Sequence, residues 1–189
     1  MELKKILLLV VILVIVPAGV SDKTLGSDDS GNQNNRARHR EKHWGDRQGR
    51  TWLKPVTHRA YKDSCGACHF AYQAELLPSS SWEGILEAVD DHFGEAFKLD
   101  QETKDAVFGY LGSNASEHSK SKVAVKIMKS LRGQVPMRIT EIPYIKDKHR
   151  RISAATFKRD SIGSASNCVA CHKRAEEGIY DDDYVVIPE

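Results

Sequence analysis

The chain has 189 residues, with 28 lysines and arginines against 26 aspartates and glutamates, a formal net charge of +2, and 40% hydrophobic residues. That length suits one compact domain or two small ones, and the apolar content can form a core but not a large one. The near-balanced charge does not call for a nucleic-acid partner, and the four cysteines all fall in two short motifs, leaving none for a disulfide.

Residues 1–21 carry Lys4 and Lys5, then an apolar run from Ile6 to Val16, then the small residues Ala18, Gly19 and Ser21 after Pro17. This pattern reads as a secretory signal peptide, with an apolar stretch short for a transmembrane helix. An uncleaved N-terminal anchor is the alternative, because no strong Ala-x-Ala cleavage motif is present. Nothing later in the chain is expected to cross a bilayer. Residues 22–63 are polar: the run SDDSGNQNN precedes a basic stretch from Arg36 to Arg50, and ten basic residues against six acids give this segment +4. We read a flexible linker up to about Arg50. His39, His43 and His58 lie in it or just after it, and each reads as a solvated side chain, although each could ligate a metal.

Next comes Cys65-Gly66-Ala67-Cys68-His69, which recurs as Cys168-Val169-Ala170-Cys171-His172. Cys-x-x-Cys-His is the attachment site of a c-type haem. Two thiols one helical turn apart add across the porphyrin vinyl groups, and the adjacent histidine reaches the iron. A redox dithiol would want a βαβ context, which the sequence does not offer. A four-cysteine zinc site would want about 15–20 residues between the pairs, and here the gap is about 100. The expectation is two covalent c-type haems on Cys65 and Cys68 and on Cys168 and Cys171, with His69 and His172 as proximal iron ligands. The haems would add the apolar volume that the composition lacks. Such haems are joined to the chain outside the cytoplasm in bacteria, so export places the protein in the periplasm, free or N-terminally anchored.

The first motif is expected to open a helical stretch that Pro78 breaks. Ser80 and Glu83 have capping-box spacing, which puts a helix start near Ser81. Its apolar face would hold Trp82, Ile85, Leu86, Val89 and Phe93, with His92 at the edge and Gly94 at the end. A further helix follows Asp100 as N-cap, with Val107, Tyr110 and Leu111 apolar and Gly112 as its stop. Residues 64–116 hold two lysines and nine acids, a charge of −7, whereas residues 117–160 hold twelve basic residues and four acids, +8. Within the basic stretch, Ser121 to Leu131 reads as an amphipathic helix ending at Gly133. Val123, Ile127, Met128 and Leu131 line its apolar face, and Lys122, Lys126 and Lys129 face outward. The plain reading is a solvated face on a core helix; the sharper one is a docking surface. The apolar face is too narrow to favour lipid.

Residues 134–167 show little periodicity, and Pro136 and Pro143 argue for an irregular path that carries His149 between Lys148 and Arg150. After the second motif, Lys173 to Glu176 could finish a short helix before Gly178. The acids of the tail lack calcium-loop spacing and read as solvated; residues 161–189 carry −4. Strand signals are weak throughout, so the expected fold is mainly α, with helices and loops wrapped on haem.

What fills the sixth position of each iron decides function: an open position permits catalysis or ligand binding, and a second strong ligand confines the haem to electron transfer. Met128 is explained by core packing, Met137 is a weaker candidate, and His118 reads as solvated. His92 is the best candidate by position. It follows His69 by 23 residues, and His149 precedes His172 by the same interval, near enough in sequence for each to return to its own haem.

The runs CGACHFAYQAELLPSSSW, DDHFGE, RITEIP and NCVACHKRAEEG resemble the bacterial dihaem cytochrome c family over about residues 64–189. The resemblance implies a periplasmic electron-transfer protein with two bis-histidine haems of low potential. The histidine of DDHFGE corresponds to His92 and that of KDKHR to His149. Residues 64–116 would then be a small cytochrome c-like helical half around haem 1, and residues 117–189 a sparsely structured half around haem 2. A small high-spin cytochrome or a membrane cytochrome b is the implied redox partner. Residues 22–63 match no shared pattern. The protein is thus read as an electron carrier and not an enzyme. The alternative is a haem enzyme, such as a peroxidase or reductase, or a ligand-binding sensor with one open iron site, although the chain is short for the usual dihaem peroxidases.

Overall fold

The structure is a computed structural model that describes residues 52–189. The signal-peptide and anchor readings of residues 1–21, the linker up to Arg50, and His39 and His43 lie outside the described residues.

The first helix, α1 (Arg59–Cys65), begins inside the stretch assigned to the extension. His58 is its N-cap, with Nδ1 accepting from Tyr61 N at 3.3 Å, and its ring stacks on Tyr110 at 4.8 Å. A free backbone donor at a helix start needs such an acceptor, so His58 is a capping residue and not a solvated one. The helix ends at Cys65, and Gly66 N donates to Lys62 O at 2.9 Å. The first motif therefore closes a helix; it does not open one.

Helix α2 (Ser79–Glu87) starts two residues before the expected position and uses Pro78 as N-cap, with no side-chain cap from Ser80. Glu117, far along the chain, takes over that role and accepts from Ser79 N and from the Ser79 hydroxyl. The helix stops at Glu87 and is followed by a 3-10 turn over Val89–Asp91. His92 consequently lies beyond the helix, where His92 and Glu95 form an isolated bridge. Asp91 Oδ1 accepts from Gly94 N at 3.2 Å, the local side-chain turn that aspartate favours over helix continuation. Phe93, expected on the buried face, is instead 45% exposed in a left-handed conformation (φ 58°).

Helix α3 (Gln101–Ser113) is capped as expected, Asp100 accepting from Thr103 N at 2.8 Å. Helix α4 (Lys122–Leu131) has Ser121 as N-cap, and Arg132 and Gly133 turn left-handed after it. Ala124, Ile127 and Leu131 are buried, Val123 and Met128 are partly buried, and Lys122, Lys126 and Lys129 are exposed. The region expected to be irregular holds two short helices, α5 (Pro143–His149) and α6 (Ala154–Phe157). Pro143 occupies the first helical position, where its missing N–H costs nothing, so it starts a helix that has His149 as its last residue. The second motif forms α7 (Cys168–Cys171) and is followed by a 3-10 turn over Ala175–Glu177.

Helix α2 packs on α3, α1 on α3, and α4 on α5. Between them lies one buried cluster that includes Tyr61, Trp82, Leu86, Leu111, Ile127, Leu131 and Ile142. Each fully buried leucine or isoleucine there contributes about 1.5–3 kcal/mol. Trp82 satisfies its ring nitrogen by donating to Ala74 O at 2.8 Å. The first and last parts of the described chain meet where Leu53 N donates to Gly178 O at 3.0 Å. Gly178 is left-handed (φ 78°), and a Cβ there would collide with the Leu53 carbonyl, so only glycine fits. The fold is mainly α; among the described residues there is no strand, only the bridges His92–Glu95 and His172–Val185.

Candidate functional site: two histidine pairs

The end of α1 and the turn after it set out Cys65, Cys68 and His69, with Cys65 half-buried and Cys68 and His69 exposed. The turn after α2 brings His92 opposite: the His69 and His92 rings stand 6.3 Å apart and nearly parallel, at 21°. At the other motif, α7 sets out Cys168 and Cys171 with His172 just after, all half-buried. The C-terminal end of α5 presents His149 to His172, at 5.9 Å and 73°. All four histidines singled out in the sequence are thus paired, one motif histidine with one distant histidine in each case.

The ring nitrogens are oriented from outside the pairs. His69 Nδ1 donates to Phe70 O at 2.9 Å, and His149 Nδ1 to Ile145 O at 2.8 Å. A carbonyl only accepts, so the proton is on Nδ1 and the Nε2 lone pair is free; metal-ligating histidines are commonly held this way. His172 Nδ1 is buried and has no hydrogen-bond partner among the described residues. Burial lowers the pKa of His92, and His69 and Arg138 lower it further. Burial likewise lowers that of His172, with His149 beside it. Both effects favour the neutral imidazole that a metal requires.

The cysteines do not have the character of a redox pair, which depends on a depressed thiol pKa. Burial pushes both Cys65 and Cys168 up to about 11. Nor do the four thiols gather: among the described residues, no three His, Cys, Asp or Glu side chains converge as a metal cluster. One thiol pair and one histidine pair at each site fit a thioether-linked haem.

Aromatic rings frame the pairs, and of these the sequence reading named only Phe93, for a buried helix face. Phe93 and Phe97 flank His92 at 4.7 and 5.7 Å, Tyr72 flanks His69 at 5.0 Å, Tyr180 flanks His172 at 5.3 Å, and Phe157 flanks His149 at 6.2 Å. Only their nearness in sequence to the histidines could have marked them. Of the methionines considered, Met137 packs against Gly84 of α2, and Met128 Sδ accepts from the Ser116 hydroxyl at 2.9 Å. His118 is exposed. A cleft of about 620 Å³ lined by Trp52, Glu75, His118 and Arg174 includes neither pair.

Comparison with known proteins follows the same lines. The family model for Dihaem cytochrome c matches residues 61–180. A diheme cytochrome c from Rhodobacter sphaeroides is similar at 36% identity over 69% of this chain and 100% of that one, with a TM-score of 0.57. A diheme cytochrome type c from Shewanella baltica, solved by X-ray crystallography, is similar at 32% identity over 70% of this chain and 95% of that one, with a TM-score of 0.58. No match was found among the curated proteins. The chain belongs to the dihaem cytochrome c family, whose members carry electrons on two covalently bound c-type haems.

Proposed function

We propose that the protein is a periplasmic carrier of single electrons in which His69 and His92 ligate one haem iron and His149 and His172 the other. The observation that carries this reading is the spacing of the rings. A metal bonded at about 2.0–2.1 Å to one nitrogen of each of two imidazoles keeps the ring centroids roughly 6 Å apart, and the two pairs stand at 6.3 and 5.9 Å. Cys65 and Cys68 would hold haem 1 within residues 64–116, and Cys168 and Cys171 haem 2 within residues 117–189. When bound, each haem supplies an iron that takes up and gives back one electron.

The chain's own residues do the rest. With two histidines holding each iron, no coordination position would be left for an outside ligand, which favours electron transfer over catalysis. The Nδ1 bonds of His69 and His149 fix ring orientation, so little need move when the charge of the site changes. Export by residues 1–21 fits the compartment where such haems are attached. The exposed Lys122, Lys126 and Lys129 of α4 offer a basic face to an acidic redox partner, for which a small high-spin cytochrome or a membrane cytochrome b are the candidates.

Single alanine variants of the distal histidines test the pairing. His92→Ala and His149→Ala should each convert one haem of the two to a high-spin form that binds carbon monoxide after reduction, whereas the wild type stays low-spin and binds little. Wholly low-spin spectra in both variants would overturn the assignment.

A further inference from the structure

Gln73 lies just beyond the first motif, is 1% exposed, and reaches across to the segment that follows the second motif. Its Nε2 donates to Ala175 O at 2.6 Å, and its Oε1 accepts from Tyr180 Oη at 2.6 Å. Beside it, Tyr72 Oη donates to Ser166 O at 2.7 Å, just ahead of Cys168. The two ends of this bridge rest on motif histidines, Tyr72 on His69 at 5.0 Å and Tyr180 on His172 at 5.3 Å. A continuous run of bonds and contacts therefore links His69 to His172 through Tyr72, Gln73 and Tyr180.

A buried amide is unfavourable unless both of its ends are satisfied, and ordering a long polar side chain costs rotamer freedom. Packing alone would be served by leucine or methionine at this position. What a hydrogen-bonded amide adds is direction and length: apolar contacts tolerate sliding, whereas a satisfied buried network selects one arrangement. This amide joins the segment after the first motif to the segment after the second.

We propose that Gln73 and Tyr180 are positioning residues that fix the two haem sites relative to one another and so set the rate of electron exchange between them. The exchange is balanced within the molecule: one site loses the single electron that the other gains, and no proton or outside reactant is consumed. The proposal rests on the histidine pairing above.

The test uses the full protein with both haems bound. Gln73→Met keeps the length of the side chain and removes both hydrogen bonds; Tyr180→Phe removes one hydroxyl and keeps the ring. Pulse radiolysis reads the redistribution of an electron between the sites, and pulsed electron paramagnetic resonance reads the distance between the two ferric centres. Both variants should exchange electrons more slowly than wild type, by up to about a hundredfold, the loss that roughly 1 Å of misplacement between reacting groups can produce. Both should also broaden the distance distribution and keep two low-spin haems. A bond that serves folding alone would lower the melting temperature and leave the exchange rate and distance of the folded protein as in wild type, and that result overturns the proposal. If Gln73→Met does not load both haems, Tyr180→Phe decides alone. Failure of the pairing itself shows separately, as a high-spin signal in the wild type.

Discussion

Residues 52–142 and residues 143–189 are held in different ways. The first region has helices α1 to α4, the longest being α3, and nearly all of the buried apolar side chains, from Leu53 to Ile142. The second has only α5, α6 and α7, none with a buried residue, and its buried apolar side chains are Ile162, Ala175 and Ile179. Helices of one or two turns are marginal alone, and a stretch of this size rarely makes its own core without a staple or metal. Side chains build the core in the first region. In the second, on the ligation proposed above, the prosthetic group held by Cys168, Cys171, His149 and His172 would serve as core.

The largest test of that contrast removes the second attachment. In a Cys168→Ala, Cys171→Ala double variant, limited trypsin digestion should cut readily at Lys146, Lys148, Arg150, Arg151 and Lys158 while residues 52–142 stay resistant, as mass spectrometry of the fragments would read. Equal protection of both regions would break the comparison. Next in size is a pair of truncations. Ile127→Ala, at a fully buried position, should cost about 2–5 kcal/mol, and Ile152→Ala, at a half-buried one, about 1 kcal/mol; denaturant unfolding of the haem-loaded protein measures both.

A smaller effect should come from Glu117, which ties the first region's α2 to a distant loop. Burial alone would raise its carboxyl, but the Ser79 hydroxyl and amide hold it below the ordinary carboxylate range. The folded protein thus binds this proton less readily than the unfolded chain, so the contribution is present above the unfolded pKa and is lost as pH falls through the folded one. Glu117→Gln should cost up to about 1 kcal/mol near neutrality, since the group is exposed and screened. The gap between variant and wild type should close in acid, which thermal melts over a pH series would show. The smallest effect on the fold should follow reversal of Lys122, Lys126 and Lys129 to glutamate, within about 0.5 kcal/mol for surface substitutions. The bimolecular rate with an acidic redox partner should nevertheless fall and lose its salt dependence, because screening limits these charges to about 8 Å at physiological ionic strength. Equal stopped-flow rates for variant and wild type over a salt series would return the lysines to a plain solvated role.

Local signals carried α3 and α4, because Asp100 and Ser121 cap them through their own side chains and the apolar spacing is regular. Two helix starts depend on non-local information: α2 is capped by Glu117 from a distant loop, and α5 begins at a proline, a residue that by itself reads as a break. The motif cysteines and histidines were legible because covalent chemistry dictates their spacing. The candidate distal histidines were legible as residues, and the 23-residue intervals pointed each to its nearer motif, but the ring geometry was not, since it depends on the turn after α2 and the end of α5. Gln73 left no signal at all; a glutamine gains meaning only when the carbonyl and hydroxyl it meets are far along the chain.

The clasp of Leu53 on Gly178 bears on the order of events as the protein is made. A chain that emerges from its N-terminus presents Leu53 well before Gly178, and closing so long a loop is entropically costly and slow. The contact is therefore a late one to form, and Gly178, which admits no side chain against the Leu53 carbonyl, is what lets the two distant segments meet so closely.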